Sequence, residues 1–162
     1  MSYIGLSLFR FFVSCLFLLS AVSPAHADGP ARVVSVHDGD TLTVLVDRRQ
    51  VKVRLTDIDA PELGQPFGKN SKQSLSDLCF GKLATLDVRG RDRYKRTIAQ
   101  VTCEGRDANA GQVRRGYAWT YTRYAPAASP LYAIQSAAQT ANRGLWADPA
   151  PVPPWNWRRS GR

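Results

Sequence analysis

Two groups of carboxylates, Asp38/Asp40 and Asp57/Asp59/Glu62, stand in the stretch DGDTLTVLVDRRQVKVRLTDIDAPE with the basic residue Arg54 between them. Acids gathered in one place repel one another unless a cation lies among them, and oxygen donors without cysteines or several histidines suit Ca²⁺ or Mg²⁺. A second basic group, Arg93, Lys95 and Arg96, lies farther along. A cation to polarise a phosphoryl oxygen, a carboxylate to take a proton from water and guanidinium groups to hold the developing charge are what hydrolysis of a phosphodiester needs. General-base help alone contributes about 10²–10⁴-fold, too little for that reaction, so all three parts are required. The plainer alternative is that Asp38-Gly39-Asp40 is only a turn and the acids shape loops of a non-catalytic nucleic-acid-binding module.

The elements that must position these residues are short strands. Leu42, Val44 and Val46 alternate with polar residues, as do Val51, Val53 and Leu55, and Asp47-Arg48-Arg49-Gln50 between them reads as a hairpin loop. A hairpin joins its two ends, so Asp40 should lie beside Asp57 to Glu62. Counting by twos, however, puts Arg54 and Asp59 on opposite faces, and only a bend between Thr56 and Asp59 unites them. Pro61 keeps Ala60 out of the helical region.

The remaining pattern is strand, helix, strand, strand, helix, helix. Val34 and Val36 lead into Asp38. A helix from Asn70 or Ser71 carries Leu75, Leu78 and Cys79 and stops near Gly81. Leu83 to Val88 and Thr97 to Cys103 are further strands, the latter with Ile98 and Val101 inward, joined by a charged loop from Arg89 to Lys95. A short helix runs from about Asp107 to Gly116. A last one begins at Ser129 and Pro130, carries Leu131, Ile134, Ala138, Ala141 and Leu145, and stops at Gly144. The fold class is α+β: a five-stranded OB-type Greek-key β-barrel with three helices. Residues 148–162, rich in proline with Trp155 and Trp157, read as a tail on the surface without regular structure. Trp119 and Trp146 read as core, and His37 as a strand-end residue.

Composition narrows the partners. The 162 residues carry a formal charge of +9, which favours a polyanion. Residues 1–27 read as a signal peptide: Arg10, the apolar run FFVSCLFLLSAV, then Ala25-His26-Ala27 before a cleavage point at Asp28. Cleavage leaves a secreted or periplasmic protein without a membrane anchor, a folded domain over residues 28–147, and a charge of +8, since Arg10 is the one charge lost from +9. Cys79 and Cys103 then remain as an even pair, expected to form a disulfide worth roughly 3–4 kcal/mol. His37 remains as the one histidine, against a multi-histidine zinc site or a Ser-His-Asp triad.

The motifs DGDT at Asp38–Thr41, VRLTDIDAPE at Val53–Glu62, DRYKR at Asp92–Arg96 and Gly116-Tyr117-Ala118-Trp119 resemble, in order and spacing, those of the thermonucleases, the staphylococcal-nuclease-like family. The resemblance covers residues 31–146. It implies a monomeric OB-barrel endonuclease that cuts DNA and RNA with Ca²⁺, with Mg²⁺ or Mn²⁺ as chemically similar options. It further implies Asp40, Asp59 and the carbonyl of Ala60 as metal ligands, Glu62 as the base that activates water, and Arg54 and Arg96 as phosphate ligands. Arg93 adds a phosphate contact, and Tyr94 and Tyr124 line the nucleotide pocket. Three departures stand out: Ala60 replaces a common threonine, Lys95 replaces the glycine of DRYGR, and Thr122 stands where a pocket tyrosine is usual. If position 95 has positive φ, lysine there costs on the order of 1 kcal/mol.

Overall fold

The computed structural model describes residues 31–161. The signal peptide expected over residues 1–27, with its cleavage point at Asp28, lies outside the described residues. Among the described residues no helix is long and apolar enough to cross a membrane.

Strands β1 (Ala31–Val36), β2 (Thr41–Val46) and β3 (Arg49–Leu55) form an antiparallel meander. The two-residue strand β4 (Ile58–Asp59) and helix α1 (Gly68–Cys79) follow. Strand β5 (Leu83–Arg91) returns along β1, and β6 (Thr97–Cys103) pairs with both β5 and, in parallel, β3. That last pairing closes a five-stranded barrel in the order β3-β2-β1-β5-β6, with the short β7 (Arg106–Asp107) on the outer edge of β6. Helix α2 (Ala108–Arg114), strand β8 (Trp119–Thr120) and helix α3 (Leu131–Thr140) follow the barrel strands. A fourth helix, α4 (Pro154–Arg159), is added at the chain end.

The barrel interior is built from the alternating residues of the strands. Val33, Leu42, Val44, Val53, Leu55, Ala99 and Val101 are buried there, capped by Leu75 and Leu78 of α1 and Val113 of α2. Cys79 at the end of α1 is bonded to Cys103 at the end of β6, with Cα atoms 5.3 Å apart, as the even cysteine count predicts. The bond ties the capping helix to the barrel wall.

Several local expectations are corrected. The hairpin between β2 and β3 has only Asp47 and Arg48 in its turn, both at positive φ, with Val46 paired to Arg49. This is the primed geometry that matches strand twist. In β6, Val101 is inward, but Ile98 is not: Thr97, Ala99, Val101 and Cys103 are the buried set. Residues an odd number apart cannot share a face. Helix α1 begins at Gly68, behind a left-handed Phe67, rather than at Asn70 or Ser71. Strand β5 continues to Arg91, so the charged loop is shorter than expected. Helix α3 stops at Thr140, with Asn142 at φ 48°, and Leu145 lies in a separate 3-10 turn, Gly144–Ala147. The chain end is not an irregular tail. Pro153 is extended, and Pro154 takes the first helical position, where its missing N–H has no partner to lose. Dense prolines therefore deliver a helix start here.

Candidate active site

The turn between β1 and β2 sets the first carboxylate. Asp38 Oδ1 accepts from the backbone N–H of Asp40 at 3.0 Å, fixing an Asx turn. Gly39 lies against helix α1 so closely that a Cβ there would fall 1.7 Å from Ser71 Oγ. Asp40 is thereby carried inward, 5% exposed. Its Oδ2 accepts from the N–H of Ala60 at 2.7 Å, and its backbone carbonyl accepts from Leu55 N at 2.8 Å. The two hairpin ends meet as the pairing requires.

The bend demanded by strand parity is present. Asp57 sits at φ 62° and reverses the side-chain alternation between β3 and β4. Strand β4 is pinned from outside by β8, with Asp59 opposite Trp119. Arg54 then reaches around the bend. Its Nε lies 3.1 Å from Asp40 Oδ1, and its Nη2 donates to Asp59 Oδ1 at 2.9 Å. Nη1 donates to the carbonyls of Leu55 and Ile58, at 2.5 and 2.9 Å. Three of the five guanidinium N–H groups donate hydrogen bonds, Nε adds the ion pair with Asp40, and one Nη2 hydrogen is left over. Arg54 thus works first as the bridge that holds two buried acids together.

Arg54 is the side-chain cation on Asp40, and it is shared with Asp59. Burial pushes the Asp40 pKa up to about 7; Arg54 opposes this, while Asp38 and Asp59 add to it. Asp59 is 2% exposed and takes a second guanidinium from the chain end. Two desolvated carboxylates side by side offer a set of oxygen donors that a hard cation takes. Asp38 and Asp57 stay outside it, engaged in their own turns. Among the described residues no three His, Cys, Asp or Glu side chains converge as a ready-made metal cluster.

Glu62 is placed by a compact loop. Gln65 N donates to its carbonyl at 2.8 Å, and Gln65 Oε1 accepts from its N–H at 3.2 Å. Gly68 approaches the same carbonyl so closely that a Cβ would lie 1.9 Å away. Only glycine permits helix α1 to start there.

The sequence missed the group that completes this cluster. Arg158, on α4, donates from Nη2 to Asp59 Oδ2 at 2.7 Å and from Nη1 to Glu62 Oε1 at 2.7 Å, with a longer contact to Asp59 Oδ1 at 3.3 Å. Burial works to lower its pKa, but the hydrogen bonds it donates to Asp59 and Glu62, with their negative charges, prevail and raise it. Helix α4 is anchored by Trp155, which stacks on Tyr121 at 5.2 Å and meets Trp119 edge-on at 5.8 Å. Gln65 Nε2 also donates to the carbonyl of Val152 at 2.6 Å. No spacing or propensity signals Arg158; the one clue is an aromatic anchor three residues before it.

The other expected site residues form a separate loop. Asp92 organises it, accepting from Tyr94 N and Arg96 N, both at 2.9 Å, and from Arg96 Nε at 2.7 Å. Arg96 is therefore committed to Asp92 and makes no bond to the carboxylate cluster. Lys95 has φ 63°, the strained value for which glycine is the unstrained residue. Tyr94 is exposed, with Arg93 Cζ 4.8 Å and Arg96 Cζ 5.5 Å from its ring centre. Tyr124 is also exposed and meets Tyr121 edge-on at 5.1 Å. His37 Nε2 pairs with Thr43 Oγ1 at 2.8 Å.

A closed OB-type barrel whose bent hairpin end presents acids and guanidinium groups defines a nuclease-type domain. A family model described as staphylococcal nuclease homologue matches residues 52–148. An uncharacterized endonuclease of Haemophilus influenzae is 46% identical over 130 residues, which is 79% of this chain and 72% of that protein. A micrococcal nuclease of Shigella flexneri is 38% identical over 160 residues, 93% of this chain and 92% of the relative. A protein named ParB of Escherichia coli is 40% identical over 156 residues, 90% and 88% of the two chains. The chain belongs to the staphylococcal nuclease homologue family.

Proposed function

We propose that the protein is a metal-dependent endonuclease that hydrolyses phosphodiester bonds of DNA and RNA with little sequence preference. The observation that carries this reading is the pair of buried carboxylates, Asp40 and Asp59, bridged by Arg54 with Glu62 on the adjoining loop. Asp40, Asp59 and the carbonyl of Ala60 would hold Ca²⁺, which supplies polarisation of the phosphoryl oxygen and compensates the two acids. Mg²⁺ and Mn²⁺ share the ligand chemistry.

In this reading Glu62 takes a proton from water as its oxygen bonds to phosphorus. The bond from phosphorus to the leaving nucleoside oxygen breaks, and that oxygen takes up a proton. The free N–H of Arg54 faces the phosphate, and Arg96 serves as second phosphate ligand by turning from Asp92. Arg93 adds positive charge, and the exposed rings of Tyr94 and Tyr124 offer faces on which bases stack. Export to an oxidising compartment as a monomer is part of the proposal. The Cys79–Cys103 bond supports the compartment, because such bonds persist outside the reducing cytosol.

The test is cleavage of single-stranded DNA in CaCl₂, with and without chelator, by the wild-type protein and by Glu62→Gln. The wild type should cut only with Ca²⁺, and the variant should cut about 10²–10⁴-fold more slowly while retaining its circular dichroism. Retarded but uncut DNA in every lane would replace the enzyme with a binding module. Unchanged cleavage by Glu62→Gln would remove Glu62 from the mechanism.

A further inference from the structure

We infer that helix α4 is a gate on the metal site: Arg158 is an internal counter-cation that occupies Asp59 and Glu62 in the metal-free protein and withdraws when a divalent ion binds. The inference rests on the proposed metal-site reading of Asp40 and Asp59, and it assigns the chain end a role in that site.

The case begins with lone pairs. Asp59 Oδ1 already accepts from Arg54 at 2.9 Å and from Arg158 at 3.3 Å, while Oδ2 accepts from Arg158 at 2.7 Å. With the side chain only 2% exposed, solvent reaches almost none of the carboxylate while Arg158 is docked on it. Glu62, the proposed base, is paired through Oε1 to the same guanidinium at 2.7 Å. That oxygen is then covered by a guanidinium hydrogen and is not open to a water molecule. Docked Arg158 therefore competes with metal at one acid and with general-base action at the other. A divalent ion added to a carboxylate that already carries two guanidinium groups meets strong repulsion, and of the two Arg158 is the more exposed and the freer to withdraw.

The gate is built to open. Helix α4 spans six residues, too short to hold itself together in water. Its position depends on Trp155 against Tyr121 and Trp119, and on the bond from Gln65 to the carbonyl of Val152. Arg158 and Glu62 are 42% and 43% exposed, so their mutual pairing is screened and weak. The contact to buried Asp59 is the strong part, and it is the contact a divalent ion replaces. Gln65 links the two halves of the device, since the same side chain that holds the Glu62 N–H also holds Val152. Once α4 leaves, Glu62 keeps its loop and gains a free carboxylate.

The experiment is calorimetric titration of the metal-free protein with CaCl₂, comparing wild type, Arg158→Ala, Trp155→Ala and Asp59→Asn, with hydrogen exchange of residues 154–160 followed alongside. Arg158→Ala should bind Ca²⁺ about tenfold more tightly than wild type or better, tenfold being 1.4 kcal/mol. Trp155→Ala, which keeps the arginine but loosens its anchor, should show a smaller gain in the same direction. In the wild type, CaCl₂ should accelerate exchange over 154–160. Equal or weaker affinity in Arg158→Ala, with binding abolished by Asp59→Asn, overturns the gate and leaves the metal site standing. Absence of Ca²⁺ binding in Arg158→Ala and Trp155→Ala alike overturns both.

Discussion

Arg54 Nη2 meets Asp59 Oδ1 at 2.9 Å, although strand alternation alone would point these side chains to opposite faces. The reversal is made at Asp57, whose φ of 62° turns the chain between β3 and β4, while Tyr121 N clamps the Asp57 carbonyl at 2.8 Å. The site depends on this one backbone conformation more than on any side chain within the turn.

Substitutions at Asp57 should therefore sort by backbone, not by charge. Asp57→Gly keeps the positive φ without a Cβ and should retain cleavage and melting temperature. Asp57→Val places a branched side chain in the left-handed region, costing about 1–2 kcal/mol, and should lose most activity by drawing Asp59 from Arg54. Thermal melts and a DNA-cleavage assay on the two variants check this, and equal behaviour of the pair would show that the bend does not control the site.

Gly39→Ala should be damaging out of proportion to its size. The added methyl would lie 1.7 Å from Ser71 Oγ and 2.7 Å from Ala60 Cβ, so helix α1 and the Asp59-Ala60 segment must both shift. Overpacking of this kind costs about 1–3 kcal/mol. Denaturant midpoints report the loss, and cleavage should fall with it because Asp40 and Ala60 both adjoin the clash. A midpoint unchanged from wild type would show that the contact is easily relieved.

The Asp92 loop should be sensitive to acid. Burial tends to raise the Asp92 pKa, but hydrogen bonds from Arg96 and Tyr94 outweigh it and hold the carboxyl below its ordinary value. A depressed carboxylate stabilises the fold at pH above its unfolded value near 3.8, and that contribution is lost as pH falls through the folded pKa. The difference in melting temperature between wild type and Asp92→Asn should accordingly be constant at neutral pH and shrink only below about pH 4. A difference that vanishes already between pH 5 and 7 would contradict the assignment.

Reduction of the Cys79–Cys103 bond should lower unfolding free energy by roughly 3–4 kcal/mol, the range for a closed loop of this size. Denaturation with and without a reducing agent measures it. Because the bond joins α1 to β6 away from Asp40 and Asp59, reduced protein that remains folded should cleave DNA at near wild-type rate.

Much of the barrel was legible in local pattern. Strict alternation over 42–46 and 51–55 marked the hairpin, and the even cysteine pair marked the one bond between α1 and β6. The adjacency of Asp40 to Ala60 followed from hairpin closure, now seen as a 2.7 Å hydrogen bond. At the chain end a longer-range contact overrules the local pattern. The prolines near the chain end predict irregular structure, yet Pro154 starts a helix whose Trp155 packs against Tyr121 and Trp119.

The sequence by itself determined which residue types are present, the strand period, and the register that sets Asp40 against the end of β3, since these depend on neighbours within one hairpin. Tertiary structure alone decided that Arg54 is largely spent on bridging two acids and that Arg158 arrives at Asp59 from 99 residues away. Such contacts join surfaces that meet only once the barrel has closed. No periodicity in the chain encodes them.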